Sequence, residues 1–262
     1  MSRRTRRTTT ISSRMKVIHG FDSLPCLHNA VVTVGSYDGV HCGHRILIDS
    51  VVRLAHECGG ESVVATFEPH PRITLHDDEG LRLLTTLDEK EYLLGQCGVD
   101  YVVVIPFDEA FSRLSREEFL DDYIIGMLHA HTLVVGYNHR FGRNNEGDYS
   151  FLSRSAGIRV IEVGQQLVGE QKVSSTLVRS AIGRGDVAAA VRLLGHPYIV
   201  MGKADAAGVI EVDRYKLLPP AGNYRARVNG NDGIVEIDNG AVRILAGRAM
   251  SESYILEIYD IA

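Results

Sequence analysis

Four cysteines, at 26, 42, 58 and 97, are all this chain carries, and none forms a CxxC pair or a metal-like spacing with the histidines. That excludes a disulfide framework and a cysteine-based metal site, and a reducing, cytoplasmic setting is expected. Long apolar runs are also missing. Nothing approaches the roughly 18 consecutive apolar residues of a membrane-spanning helix, so no membrane partner is expected. Acid is absent from the first 14 residues, where Arg3, Arg4, Arg6, Arg7 and Arg14 sit among Ser and Thr. Removing those five from 28 Lys and Arg leaves 23 against 33 Asp and Glu, net -10 for the remaining chain. Such a body repels nucleic acid in bulk, and no nucleic-acid partner is expected. The start has no apolar h-region, so residues 1–14 are expected to be a disordered basic extension, with the fold beginning near Met15. No internal repeat is present.

What is there is an ordinary globular composition: 262 residues, 45% hydrophobic and 23% charged, enough for a large core plus a small one. Its most informative stretch is Gly35-Ser-Tyr-Asp-Gly-Val-His-Cys-Gly-His44. An apolar run, Ala30-Val-Val-Thr-Val34, precedes it, and residues 45–56 follow with apolar positions at helical spacing. This predicts strand, glycine-rich turn, helix. In such a unit backbone N–H groups and the positive end of the helix dipole converge on one point and hold an anion there. His41 and His44, three apart across Gly43, can both face that point. Phosphate chemistry is the first inference. Cys42 is expected to be a small residue that fits, without a role.

Strands and helices alternate up to about residue 195. Strands are predicted at 61–67, 101–105, 132–136 and 158–163, with helices at 87–97, after a Ser115/Glu118 capping box, near 149–155, at 174–183, and from an Asp186 N-cap to Gly195. The strands are short apolar runs without alternation, the mark of a parallel sheet covered on both faces. After His196-Pro197 the texture changes to about six short alternating strands, with turns expected at Asn231-Asp-Gly and Asp238-Asn-Gly. The fold class expected is therefore α/β: a Rossmann-like parallel sheet over residues 15–196, then a small antiparallel, barrel-like β domain over 197–262.

Further segments read as ligand-binding. Ser174-Ser175-Thr176 places three hydroxyls at a helix start with Arg179 one turn on, a second phosphate cradle with a guanidinium fork for β- and γ-phosphates; the competing reading is a plain N-cap. Gly136-Tyr-Asn-His-Arg-Phe-Gly142 follows a strand end, where ligands of open α/β sheets gather. There Asn138 can meet an adenine or ribose edge, Arg140 or Arg143 a phosphate, and Phe141 a ring. Thr66-Phe-Glu-Pro-His-Pro71 also ends a strand, and its prolines fix where His70 points. Asp38 is expected either to orient a histidine or approach a metal, or simply to form the turn.

Taken in order, the segments at 35–44, 66–71, Leu84-Thr-Thr86 with Glu89-Lys90, 136–148 and 173–179 resemble the bacterial bifunctional riboflavin kinase/FAD synthetase family, whose N-terminal module is similar to the cytidylyltransferases. The resemblance implies an FMN adenylyltransferase, a nucleotidyltransferase that takes ATP and FMN with Mg2+ delivered on ATP. It implies catalytic roles for His41, His44, Ser174, Thr176 and Arg179. ATP binding would fall to Gly35, Ser36, Asp38, Gly43, Asn138, Arg140 and Ser175, and FMN binding to Phe67, His70 and Phe141. In the family the C-terminal barrel is a riboflavin kinase that needs a Pro-Thr-Ala-Asn segment, yet none of the seven prolines here is followed by threonine. The strand that normally bears the kinase's glutamate places Ile255 there, with Glu252 and Glu257 as candidates in another register. A shortened barrel without kinase activity is expected, beside an active adenylyltransferase. The alternatives are a non-enzymatic flavin- or nucleotide-binding descendant, and transfer to another phosphorylated acceptor.

Overall fold

Valine-rich runs with no polar alternation need cover on both sides, and in the computed structural model they lie at the centre of a helix-covered sheet. The structure describes residues 15–262 apart from 77–79, 166, 169–170, 206–207, 248–250 and 252, and only the backbone at 167, 168 and 171; the expected N-terminal extension, 1–14, lies outside the described residues. The first strands are β1 (Lys16–His19), β2 (Ala30–Val34), β3 (Ser62–Glu68), β4 (Tyr101–Pro106), β5 (Ala130–Gly136) and β6 (Arg159–Val163). They pair in the order β1-β4-β3-β2-β5-β6, all parallel.

Helices α1 (Cys42–Cys58), α2 (Pro71–Thr74), α3 (Leu87–Gly95), α4 (Glu109–Ser112), α5 (Arg116–Glu118) and α6 (Tyr149–Leu152) connect these strands. Val31, Val64, Val102 and Val134 bury one face of the sheet against α1 and α3. Val32, Val63, Val103 and Leu133 bury the other against Phe119, Leu120, Ile124 and Leu128. The chain runs from β2 to β3 and β4 on one side, then crosses back to lay β5 beside β2. Strand order therefore reverses between β2 and β5, and an open parallel sheet has its binding crevice at the carboxyl ends of such a pair.

The Ser115/Glu118 capping box forms, but the helix it opens is α only for Arg116–Glu118 and then widens into a π-helix over Phe119–Met127. Gly126 permits this, because a Cβ there would stand 3.0 Å from the Asp121 carbonyl oxygen. The wider turn keeps Phe119, Leu120, Ile124 and Leu128 together in the core.

A small hairpin, β7 (Leu167–Val168) and β8 (Gln171–Lys172), leads to α7 (Ser175–Gly183) and α8 (Val187–Leu194), which Gly195 ends in the left-handed conformation. The six expected strands then form: β9 (Tyr198–Gly202), β10 (Val209–Ile210), β11 (Gly222–Val228), β12 (Asn231–Asp238), β13 (Ala241–Ala246) and β14 (Tyr254–Ile261). They make an antiparallel sheet ordered β10-β13-β12-β11-β14-β9. The first hairpin turns at Asn229-Gly230, not at Asn231-Asp-Gly, because Asn229 and Gly230 both adopt positive φ, as a two-residue type I′ turn requires. Alternation sends Tyr224, Ala226 and Val228 inward, and α7 and α8 supply Val178, Ala181, Ile182, Ala190, Leu193 and Leu194 to the same core. Thus α7 and α8, which the sequence pattern grouped with the first sheet, share the core of the second.

Candidate active site

At the β2/β5 reversal the backbone opens a cleft of about 440 Å3. Its floor comes from the end of β2 (Val34, Gly35, Ser36), one wall from the start of α1 (His41, Gly43, His44), and another from the end of β5 (Gly136, Tyr137, Asn138, His139). Ser174, Ser175 and Thr176 at the head of α7 complete it, with Gln165 and Lys172. A second cavity of about 700 Å3 shares Val34, Gly35, Ser36, Asn138 and His139 with the first. It is lined by Phe67, Phe107, Phe111, Phe119 and Phe141, and Arg140 and Arg143 stand at its rim. The site is thus two-part: a polar cleft beside a helix start, and an aromatic hollow joined to it.

His41 caps α1. Its Nδ1 accepts the backbone N–H of His44 at 3.3 Å, which leaves the ring proton on Nε2. The two imidazoles stack with centroids 3.6 Å apart, and Tyr37 meets the edge of His44 at 5.1 Å. Burial lowers the pKa of His41 to about 4 and holds His44 well below the usual histidine range, so both are neutral at pH 7. Nδ1 of His44 is the one buried side-chain nitrogen or oxygen without a hydrogen-bond partner among the described residues. An orphaned buried polar atom in a cleft is a group that a ligand or an ordered water can satisfy.

At α7, Ser174 Oγ accepts the Leu177 N–H as N-cap, and Ser175 Oγ donates to the Asp38 carbonyl at 3.0 Å. Thr176 is exposed in the cleft. Arg179 departs from expectation. Its Nη2 donates to Asp38 Oδ2 at 2.5 Å and its Nε to the Arg82 carbonyl at 2.8 Å, and it lines neither cavity. The reason is Asp38, which is buried under the turn and also accepts from Leu84 N, Thr85 N and Thr85 Oγ1. A buried carboxylate needs a charged partner, and Arg179 supplies it. Asp38 therefore shapes the turn: it is not among the residues lining the cleft, and none of its hydrogen bonds among the described residues is to a histidine. No group of three or more His, Cys, Asp or Glu side chains gathers at metal-holding distance among the described residues.

Phe67 and Phe141 line the aromatic hollow, as Arg140 does at its edge. Phe141 packs on Phe119, and Gly147 makes room for it, since a Cβ there would lie 2.6 Å from the ring. Arg140 pairs with Asp148 at 3.1 Å. His70 lines neither cavity; its Nδ1 accepts the Arg72 N–H at the start of α2, where burial lowers its pKa to about 4. The sequence reading missed Phe107 and Phe111, which follow β4 beside Phe67 at the end of β3, and His139, which lines both cavities. Aromatics just after a predicted strand end were the available signal. It also gave no role to Lys90, which is buried and donates to Thr66 Oγ1 at 3.1 Å.

A model of the FAD synthetase family matches residues 24–177, a span that contains every residue lining the cleft and the hollow. The chain belongs to that family. As a FAD synthetase it is a nucleotidyltransferase. Among curated relatives, the bifunctional riboflavin kinase/FMN adenylyltransferase of Listeria monocytogenes is 34% identical over 77% of this chain and 69% of its own length. The Escherichia coli protein of the same description is 34% identical over 72% of this chain and 62% of its own, and the Bacillus subtilis one 33% identical over 82% and 71%. This chain thus spans about two thirds of these relatives. A crystal structure described as a macrolide-efflux protein from Streptococcus pneumoniae superposes with a TM-score of 0.79 at 25% identity, covering 95% of this chain and 99% of that one.

Proposed function

We propose that this FAD synthetase transfers AMP from ATP to FMN, giving FAD and pyrophosphate, and that it has no riboflavin kinase activity. The observation that carries the reading is the joined pair of cavities: a polar cleft at a helix start, suited to a triphosphate, opening into a hollow lined by five phenylalanines, suited to a flavin ring. An FMN phosphate oxygen forms the new bond to the α-phosphorus of ATP. The bond from that phosphorus to the bridging oxygen breaks, and pyrophosphate leaves with the electron pair. Little covalent work falls to the protein, which positions the reactants and neutralises developing charge.

In this reading the Cys42 and Gly43 N–H groups at the α1 start, Nε2–H of His41 and the ring of His44 face the phosphates. Thr176 and Ser174 face them from the α7 side. Asn138 and the Gly136 backbone take the nucleoside, and Phe67, Phe107, Phe111 and Phe141 the flavin ring, with Arg140 or Arg143 near its phosphate. Magnesium enters as the complex of ATP.

The loss of kinase activity rests on the second sheet. None of the seven prolines is followed by threonine, so the Pro-Thr-Ala-Asn segment that the kinase needs is absent from the sequence. Tyr254, Leu256 and Ile258 of β14 fill the core, while Ile255 and Glu257 take the other face, where Ile255 packs with the cluster of Leu93, Leu94 and Ile199. Glu252 lies outside the described residues. Incubation with FMN, ATP and Mg2+, then chromatography of the flavins, tests the first half. FMN bound without FAD formed would leave a flavin-binding protein. Riboflavin and ATP yielding FMN would refute the second half.

A further inference from the structure

The turn that carries the two histidines holds two non-glycine residues at positive φ, Tyr37 at 47° and Val40 at 40°. A β-branched residue in that region is strained, and strain of this kind persists only where the surroundings over-determine the backbone. The restraints can be traced. Asp38, between them, accepts from Leu84 N at 3.1 Å, Thr85 N at 2.9 Å and Thr85 Oγ1 at 3.2 Å. Gly39 N–H donates to Thr85 Oγ1 at 2.9 Å, and Gly39 itself, at φ 84°, has no room for a Cβ, which would lie 2.7 Å from Leu84 Cδ1. The turn is therefore cast against Leu84 and Thr85.

Those two residues have no regular element of their own. They are held from the second sheet. Leu83 N–H donates to the Tyr215 carbonyl at 2.7 Å, and Leu217 N–H to the Leu83 carbonyl at 2.8 Å, a short parallel bridge onto the strand entering β11. Lys216, between them, is fully buried, and its Nζ donates to three acceptors at 2.6 Å each: the Leu84 carbonyl, Glu89 Oε2 and the Ile199 carbonyl of β9. Glu89 in turn accepts the Thr86 N–H in the α3 capping box and the Met201 N–H of β9. The buried ion pair thus pins residues 84–89 between the two sheets. All three donor hydrogens of the ammonium are used, as a buried cation requires.

We infer that Lys216 is a positioning residue for adenylyl transfer: through Leu84, Thr85 and Asp38 it holds the strained histidine turn in its phosphate-binding shape, which gives the second sheet a task in the reaction. This rests on the ATP-dependent reading of the cleft above. The aromatic hollow is built on β3, β4 and β5 and takes no part in the chain of contacts, so the effect is selective: ATP is handled worse and FMN is not.

The test uses full-length protein. Glu89→Gln with Lys216→Met removes both charges together, so neither is left buried and alone. Val235→Ala, in the core of the second sheet and outside the hydrogen-bond chain from Lys216 to Asp38, serves as the control of comparable stability loss, matched by urea midpoint. The double variant is expected to lower kcat/KM for ATP by on the order of 10- to 100-fold, the size of a sub-ångström misplacement of a reacting group, with KM for FMN within about twofold of wild type. Calorimetric titration with ATP alone should show the weakened binding, and hydrogen exchange should quicken at Gly39 and Thr85. Val235→Ala should show none of these. Equal ATP parameters in the double variant and the control would overturn the inference. If the double variant does not fold, Thr85→Val breaks the same chain nearer the turn without touching the ion pair, and is held to the same outcomes. If wild type makes no FAD, the activity reading fails by itself, and the ATP titrations still decide the inference.

Discussion

Lowering the pH from about 7.5 to 5.5 should strip several kcal/mol of stability from this protein, because its site is built on neutral buried imidazoles. Burial lowers the pKa of His41, His70 and His139 to about 4 each, against an ordinary 6.5. Below 6.5 the unfolded chain takes up protons that the folded chain refuses, so stability rises with pH across the window from about 4 to 6.5 and is lost on acidification. At pH 5.5 an unfolded histidine is about nine-tenths protonated and one with pKa 4 about 3%. The difference is about 1.3 kcal/mol per residue relative to pH 7.5, or about 4 kcal/mol for the three. His44 and His196, also lowered by burial, act in the same direction, while Glu68 and Glu91, raised by burial, oppose it at the acid end. Against a typical total of about 5–15 kcal/mol this is a large share. Urea denaturation at constant ionic strength should show the midpoint falling by about 1–2 M over this range, taking a slope of about 2–3 kcal/mol/M. His139→Phe should remove about a third of that fall, since the ring it replaces already stacks on Phe141 at 5.6 Å. A midpoint constant across the range, or a fall undiminished in His139→Phe, would refute the assignment of neutral buried histidines.

Three further outcomes are expected. His41→Ala or His44→Ala should lower the rate of FAD formation by about 10²–10³ if each ring donates to the transferring phosphates, measured with FMN and ATP saturating. Gly39→Ala should destabilise the fold by about 2–4 kcal/mol and weaken ATP binding, because the new methyl both strains a φ of 84° and meets Leu84; calorimetry with ATP and thermal melts check the two effects. Phe111→Ala, in the aromatic hollow, should raise KM for FMN about tenfold with little change in KM for ATP, as the loss of one ring contact costs about 1 kcal/mol or somewhat more.

Local features of the site were legible in the sequence. The strand, glycine turn and helix of residues 30–58 are encoded within a few residues of one another, whereas the His41 cap emerged only in the structure. The capping box at Ser115 and the N-caps at Ser174 and Asp186 were equally legible, since each is a bond between residues three apart. Arg179 was not. Its partners Asp38 and Arg82 lie 141 and 97 residues away, and a guanidinium one turn into a helix reads the same whether it meets a phosphate or a buried carboxylate. The π-helix escaped for a related reason: its widening answers the packing of Phe119, Leu120, Ile124 and Leu128 on the sheet, and intrinsic propensity does not register that.

By itself the sequence determined the groups available for chemistry: a glycine-rich turn with two histidines before a helix, a hydroxyl-rich second helix start, aromatic residues at strand ends, and a C-terminal segment in β alternation without Pro-Thr-Ala-Asn. Only the tertiary structure decided how these meet. The order β1-β4-β3-β2-β5-β6 sets the reversal that opens the cleft, and it brings the ends of β3, β4 and β5 together into one hollow. The Lys216–Glu89 pair, 127 residues apart, ties the second sheet to the turn. Periodicity and caps are local and survive in one dimension. Strand order and the pairing of buried charges are set by which surfaces can be closed together, and they exist only once the chain has folded.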